Sequence, residues 1–436
     1  MAAGSIAENI YEKLVNEEDA RACREIDEKA CREVPGNFVL MVLSHFFSKL
    51  GDAIANPKIV LPWIMEAISA PLYLIGFLVP VRESGSLIPQ LIIAGYVRRM
   101  PVRKWVWVAG SVIQAAAMAG IGLVAITMQG TAGGWAIMGL LVIFSLARGM
   151  SSVAAKDVLG KTVPKARRGQ VNGWSASSAG LVTVGLALAL WLLSQDELPA
   201  AAYGAFLLGA GGLWLIAASI YSRIKEFPGE TDGGANAISE AWQRLAILRE
   251  DKAFRRFVIT RSLLLCSALT APYYVVLAQK ELGAQTSLLA LFMLASGAAS
   301  LLSAPFWGRF ADVSSRKVMI VAALMTGALG VFLFLLSWLW QDVLSMVWVI
   351  PVLYFLLSVA HQGVRVGRKT YVVDLAEGNK RTDYVSVSNS VIGVVLLITG
   401  FSGALSTVLP VSGIILILSL MGVAGAALGS ALPEVE

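Results

Sequence analysis

The sequence predicts an all-α integral membrane protein of twelve transmembrane helices in two pseudo-symmetric six-helix halves. Three observations predict it. Apolar stretches of about 20 residues recur along the whole chain, basic residues concentrate in alternate connecting loops, and loop sequences of the first half return in the second.

The apolar runs set the class. Of the 436 residues 57% are hydrophobic and 15% charged, where a soluble domain carries about a quarter charged. Runs such as Val106–Met128, Leu181–Leu193, Tyr203–Ile220, Val318–Leu339 and Ile414–Leu428, with their flanks, are long enough to cross about 30 Å of hydrocarbon as helices. Backbone groups in lipid must be paired within the segment, which favours helices over open strands. The first 35 residues are polar and the first apolar run starts near Phe38, so no early cleavable signal is expected.

Taken in order, residues 1–35 form a polar N-terminal segment with a thin apolar stripe at Ile6, Ile10, Leu14 and Val15, expected as a solvated helix or tail on the cytoplasmic side. The N-terminal half, 36–222, holds spans near 37–60, 70–96, 105–128, 134–158, 170–194 and 200–222. A cytoplasmic linker, 223–253, begins Gly/Pro/Asp-rich and continues with helical spacing at Ile238, Trp242, Leu245 and Leu248. The C-terminal half, 254–436, holds spans near 254–277, 285–308, 317–340, 345–369, 384–408 and 411–431.

Orientation follows from the basic residues. Arg98, Arg99, Arg103 and Lys104, then Lys161, Lys165, Arg167 and Arg168, then Arg223, Lys225, Arg244 and Arg249, then Arg316 and Lys317, and finally Lys380 and Arg381, all fall in one set of loops. The opposite set holds almost none beyond Lys58 and Lys280, which places both termini in the cytoplasm of an inner-membrane, multi-pass protein. The repeat agrees. GYVRRMPVRK from Gly95 and GRFADVSSRK from Gly308 stand 213 residues apart with Gly, Arg and Lys in register. Gly149 and Arg167 match Gly363 and Arg381 at a spacing of 214. Two six-helix halves of like orientation are what parallel repeats about an axis along the membrane normal require.

GRFADVSSRK resembles the cytoplasmic loop signature G-x-x-x-D-x-x-G-R-K of the major facilitator superfamily, through Gly308, Asp312, Arg316 and Lys317. The first-half copy, with Gly95, Arg103 and Lys104, departs more, having Arg99 at the acidic position and Val102 at the late glycine. LGDAIANPKIVLP loosely resembles a first-helix pattern of proton-linked exporters of that family, while the Gly-Pro pair of antiporter helix 5 is missing from AGLVTVGLALAL. The resemblance covers about 37–431 and implies alternating-access transport, with these loop residues gating: glycine for close helix approach, Asp and the basic pair bridging helix ends.

Ionisable residues at membrane depth mark pathways. Lys49, Arg82, Arg148, Arg261 and Arg365 are the candidate substrate-binding cations; Asp52, Glu83 and His361 are the candidate proton carriers. Lys49 and Asp52, three apart, can pair, whereas Arg82 and Glu83 point about 100° apart and need separate partners. The excess of cations predicts a small organic anion as substrate, with a proton as coupling ion and the lipid bilayer as the only other partner of a monomer.

Other classes fall away. The net charge of +6 resides in short loops, not in a nucleic-acid-binding patch. With two His and three Cys, no metal cluster and no cofactor are expected, and Cys23, Cys31 and Cys266 are expected as free thiols. AKDVLGKT lacks the first glycine of a phosphate-binding loop and follows an apolar helix, so the chain is not read as an ATPase or other enzyme. Two further readings stay open: a non-transporting sensor or assembly protein of this fold, and a carrier of lipid-like or drug-like amphiphiles.

Overall fold

The computed structural model describes residues 31–436 apart from 91–92, 94–95, 98, 194–196, 230, 232–244, 376–379 and 436. Most of the expected N-terminal segment, the middle of the linker and Gly95 lie outside the described residues. Among the described residues every regular element is a helix. In order they are α1 (Val34–Ile54), α2 (Val60–Ala67), α3 (Leu72–Leu87), α4 (Lys104–Thr127), α5 (Gly130–Thr162), α6 (Lys165–Leu193) and α7 (Ala200–Tyr221). There follow α8 (Lys252–Leu263), α9 (Cys266–Leu269), α10 (Ala271–Leu282), α11 (Thr286–Leu339), α12 (Val349–Asp374), α13 (Lys380–Gly400), a 3-10 segment Phe401–Thr407, and α14 (Val411–Ser430). Ile247–Glu250 and Gln341–Leu344 add single helical turns.

Nine of the described helical stretches are long and apolar enough to cross a membrane. One of them, α11, has 54 residues. At about 1.5 Å per residue that is roughly 80 Å, too long for a single crossing. Its backbone leaves helical geometry at Ser314 (φ −165°, ψ 104°), the position where the sequence expects the loop between two spans. Leu302, Ile398 and Leu123 point outward from the bundle, and Trp105, Trp135, Trp338 and Trp348 stand exposed near helix ends. A lipid-facing surface with aromatic rings at its borders has this composition.

Two helices are broken at matching places. The first expected span divides into α1 and α2 at Asn56-Pro57, where Pro57 cannot donate to a helix ladder. The Asn56 side chain accepts from the Lys58 N–H at 2.9 Å, and its carbonyl accepts from the Val60 N–H at 2.9 Å, closing the turn. The seventh expected span divides into α8, α9 and α10, with Pro272 opening the last. Asp251 caps α8, its Oδ1 accepting from the Phe254 N–H at 2.9 Å. Irregular backbone at membrane depth is tolerated where it lines a polar cavity.

The halves share an orientation. Glu197, before α7, accepts the Ala284 N–H at 3.0 Å, and the Tyr203 hydroxyl meets Thr286 Oγ1 at 3.1 Å, so the loops after α6 and α10 lie at one end. The basic loops lie at the other. At the first end a single apolar core joins both halves, including Trp63, Leu74, Tyr274, Phe292 and Ile414. Towards the basic end the core splits: Phe38, Trp107, Val158 and Tyr221 pack in the first half, Phe257, Trp307, Val318 and Tyr371 in the second. The fold is therefore closed at one end and parted at the other.

Cys31 stands in a disulfide, against the expected free thiol, while Cys266 is free and buried. The expectation rested on compartment, which says nothing of the distance between two sulfurs.

Candidate functional site

Between the halves lies a cavity of about 850 Å³, within the range of small-molecule sites. Both helix breaks reach it, through Asn56, Pro57 and Lys58 on one side and Ser267, Ala268 and Ala271 on the other. Its charged wall comprises Lys58, Arg82, Lys156, Arg261, Arg365, Arg368 and Lys369 against the carboxylates Asp52 and Glu83, seven basic groups to two acidic.

Each cation is held differently. Arg82 donates to Asp52 Oδ1 at 2.9 Å, with its guanidinium carbon 4.7 Å from the Phe144 ring centre. Arg148 pairs with the other oxygen of Asp52, so one carboxylate serves two arginines from α3 and α5. Arg261, buried at 7% exposure on α8, donates to Ser388 Oγ at 2.6 Å and Asn389 Oδ1 at 2.8 Å, neutral partners that leave its charge uncancelled. On α12, His361, Arg365 and Arg368 recur at helical spacing and all line the cavity, with Lys369 beside them. Among the described residues Glu83, Lys156, Arg365, Arg368 and Lys369 stand in no ion pair.

The structure brings Arg82, Arg261 and Arg365 of the expected cations together with Glu83, His361 and Asp52. Lys49 and Arg148 do not line this cavity, although Arg148 reaches its wall through Asp52. They line a smaller cavity of about 280 Å³ inside the first half, with His45, Trp107 and Asn172, and Ser152 and Lys156 border both spaces. The expected Lys49–Asp52 pair is absent: Lys49 Nζ donates to the Asn172 carbonyl at 3.0 Å and Ser175 Oγ at 2.7 Å. Asp52 is taken by the two arginines, whose forked donors suit a carboxylate better than a lysine does. Arg82 pairs with Asp52, while Glu83 stands in no ion pair among the described residues.

Lys58 is the largest correction. Counted among loop charges, it lies in the break between α1 and α2 with its Nζ 2.7 Å from His361 Nε2. Asn56-Pro57 was the signal, a helix-breaking pair inside an apolar run. Lys156, Arg368 and Lys369 also face the cavity, and the 365/368/369 spacing marks the common face of the last two with Arg365.

The expected gating residues lie at the basic end. Arg103 pairs with Asp157, and Glu226 accepts the Arg103 and Lys104 backbone N–H groups at 2.9 and 2.6 Å, capping α4. In the second half Arg316 pairs with Glu434 and donates to the Leu432 carbonyl at 2.8 Å. Glu226 and Glu434, missed in the sequence, follow the sixth and last spans at equivalent places. All these contacts stay within one half. Asp312 is exposed and stands in no ion pair among the described residues. Gly308 makes no close helix approach: a Cβ there would meet nothing within 4 Å.

Continuous helices, broken spans facing a polar cavity, and one closed end define a membrane transporter. The sequence pattern of the Major Facilitator Superfamily matches residues 41–296 and 262–435, and the chain belongs to that family. No curated protein sequence matches it. Among solved structures, a D-xylose–proton symporter aligns over 92% of this chain and 98% of its own, at 12% identity and a TM-score of 0.71. A POT family transporter in complex with a thioalcohol-conjugated peptide aligns over 93% and 98%, at 11% identity and a TM-score of 0.70. The xylose transporter XylE from E. coli in an inward-open conformation aligns over 92% and 97%, at 10% identity and a TM-score of 0.67. These likenesses establish the fold.

Proposed function

We propose that this transporter carries a small organic anion across the inner membrane by alternating access, bound in the central cavity. The observation that supports it is the imbalance of seven cationic groups over two carboxylates on one wall shared by both halves. Arg261 and Arg365 are the principal anion ligands, because neither is neutralised by a carboxylate among the described residues. Guanidinium keeps its charge when desolvated and bonds carboxylate or phosphate in two places. Asp52 is committed to Arg82 and Arg148, so Glu83 and His361 are the groups free to exchange a proton with the cavity. The basic loops orient the open end to the cytoplasm, with both termini there.

Leu264, Leu357, Val372, Ile392 and Leu396 also line the cavity and give it an apolar side. That side favours a second reading, an amphiphile whose anionic head meets the arginines. The experiment is binding to purified protein of short carboxylates and phosphates, their long-chain analogues, and organic cations. Anions are expected to bind, and Arg261→Gln or Arg365→Gln to weaken them at least tenfold. Preference for cations, or anion binding that ignores both substitutions, overturns the proposal. Binding restricted to long-chain anions selects the second reading.

A further inference from the structure

The contact between Lys58 and His361 joins the halves at the floor of the cavity, where the apolar core of the closed end begins: Ile59 and Val60 beside Lys58, and Leu265, Ala268 and Leu357 beside the histidine's surroundings, all belong to that core. Its hydrogen bonds run in one direction. Ser267 Oγ donates to the Leu264 carbonyl at 3.2 Å, which leaves the same oxygen to accept from His361 Nδ1 at 3.0 Å. With the hydroxyl proton on that carbonyl, the ring proton falls on Nδ1, and Nε2 is then bare to accept from the Lys58 ammonium 2.7 Å away.

We propose that Lys58 and His361 form a proton-binding site between the halves: it holds one positive charge with its hydrogen bond intact, and a second proton on His361 Nε2 breaks that bond and recruits an anion. The second proton enters from the water-accessible cavity and occupies the only acceptor Lys58 has on the ring. Two cations 2.7 Å apart cannot persist at low dielectric, so the ammonium swings away. The charged groups facing the pair are Glu83 from α3 and Arg365 and Arg368 from α12. One carboxylate cannot balance these arginines, the ammonium and one new imidazolium charge, and a bound anion supplies the missing negative charge. Proton and anion thus load together, and their loading severs a tie between the halves at the closed end. The coupling to an anion rests on the function proposed above; the proton site does not.

His45 and His361 are the only histidines, so ring nitrogens labelled with 15N give two signals sets, separated by a His45→Asn variant. At neutral pH His361 is expected with Nδ1 protonated and Nε2 bare, and Lys58→Met is expected to shift the Nε2 signal by removing its donor while Nδ1 stays protonated. A ring protonated on Nε2 at neutral pH, or an Nε2 signal unchanged by Lys58→Met, overturns the proton site. For coupling, succinate, citrate, inorganic phosphate and phenyl phosphate are added to lightly buffered protein with a pH-indicator dye. Uptake of about one proton per bound anion is expected, lost in both Lys58→Met and His361→Gln. Anion binding without proton uptake, or uptake that survives both substitutions, overturns the coupling while the anion-carrier function stands. If none of the four anions binds, the function proposed above fails, and the ring tautomer still decides the proton site.

Discussion

Asp52 carries the heaviest electrostatic duty of any single residue near the cavity, because its two oxygens hold Arg82 and Arg148 from different helices. Removing one partner of a partly buried pair leaves charge stranded, which costs about 3–5 kcal/mol when fully buried. The side chains here keep 13–28% exposure, so Asp52→Asn is expected to cost about 2 kcal/mol. Thermal unfolding in detergent measures it. Adding Arg148→Gln to Asp52→Asn should recover part of the loss, since one stranded cation is then gone; a double variant no more stable than the single shows that the pair is not coupled. The sequence supplied these charges at membrane depth but not their partners. Lys49 is nearer Asp52 along the helix, yet the geometry of the neighbouring helices awards the carboxylate to two arginines.

At the scale of elements, the closed end depends on contact between α3 and the 3-10 segment Phe401–Thr407. A Cβ on Gly403 would stand 2.2 Å from the Tyr73 carbonyl, and one on Gly76 would stand 2.5 Å from the Gly403 Cα. Backbone this close cannot yield to a side chain. Gly403→Val is therefore expected to pry the closed end apart, and spin labels on the loops after α6 and α10 to report the change as a longer or broader distance. An unaltered distance removes the contact from the closing mechanism. The basic-end loops make a complementary case. Asp312 is unengaged here, so any bridge it forms belongs to the opposite conformation; Asp312→Asn is expected to slow transport severalfold and leave substrate affinity within twofold. A large loss of binding by the detergent-solubilised variant counts against that role. Helix breaks were partly legible: Asn56-Pro57 and Pro272 are written in the sequence, but that both breaks face one cavity is a fact of packing.

For the whole molecule, one shared core at the closed end and two separate cores at the basic end describe a one-sided cavity. In a variant with Cys23, Cys31 and Cys266 replaced by serine, a cysteine at Asn389 is expected to react with impermeant thiol reagents from the cytoplasmic face and not from the other. Reaction from the opposite face alone reverses the orientation given by the basic loops. Combined with Gly403→Val, reaction from both faces is expected, because the closed end then opens while the parted end stays open part of the time.

The sequence by itself determined the all-helical membrane class and the family, because these follow from local properties: run length against hydrocarbon thickness and repeated loop motifs. It also named Arg82, Arg261, Arg365, Glu83 and His361 as candidates, and all five line the cavity. Only the tertiary structure decided which charges share a space. It moved Lys58 from a loop to the cavity floor beside His361, sent Lys49 and Arg148 to a separate pocket, and set Glu226 and Glu434 against the loop motifs. The reason is that an ion pair depends on distances of a few ångströms between helices far apart in the chain, and helical periodicity fixes the face a residue occupies without fixing the helix that comes to meet it.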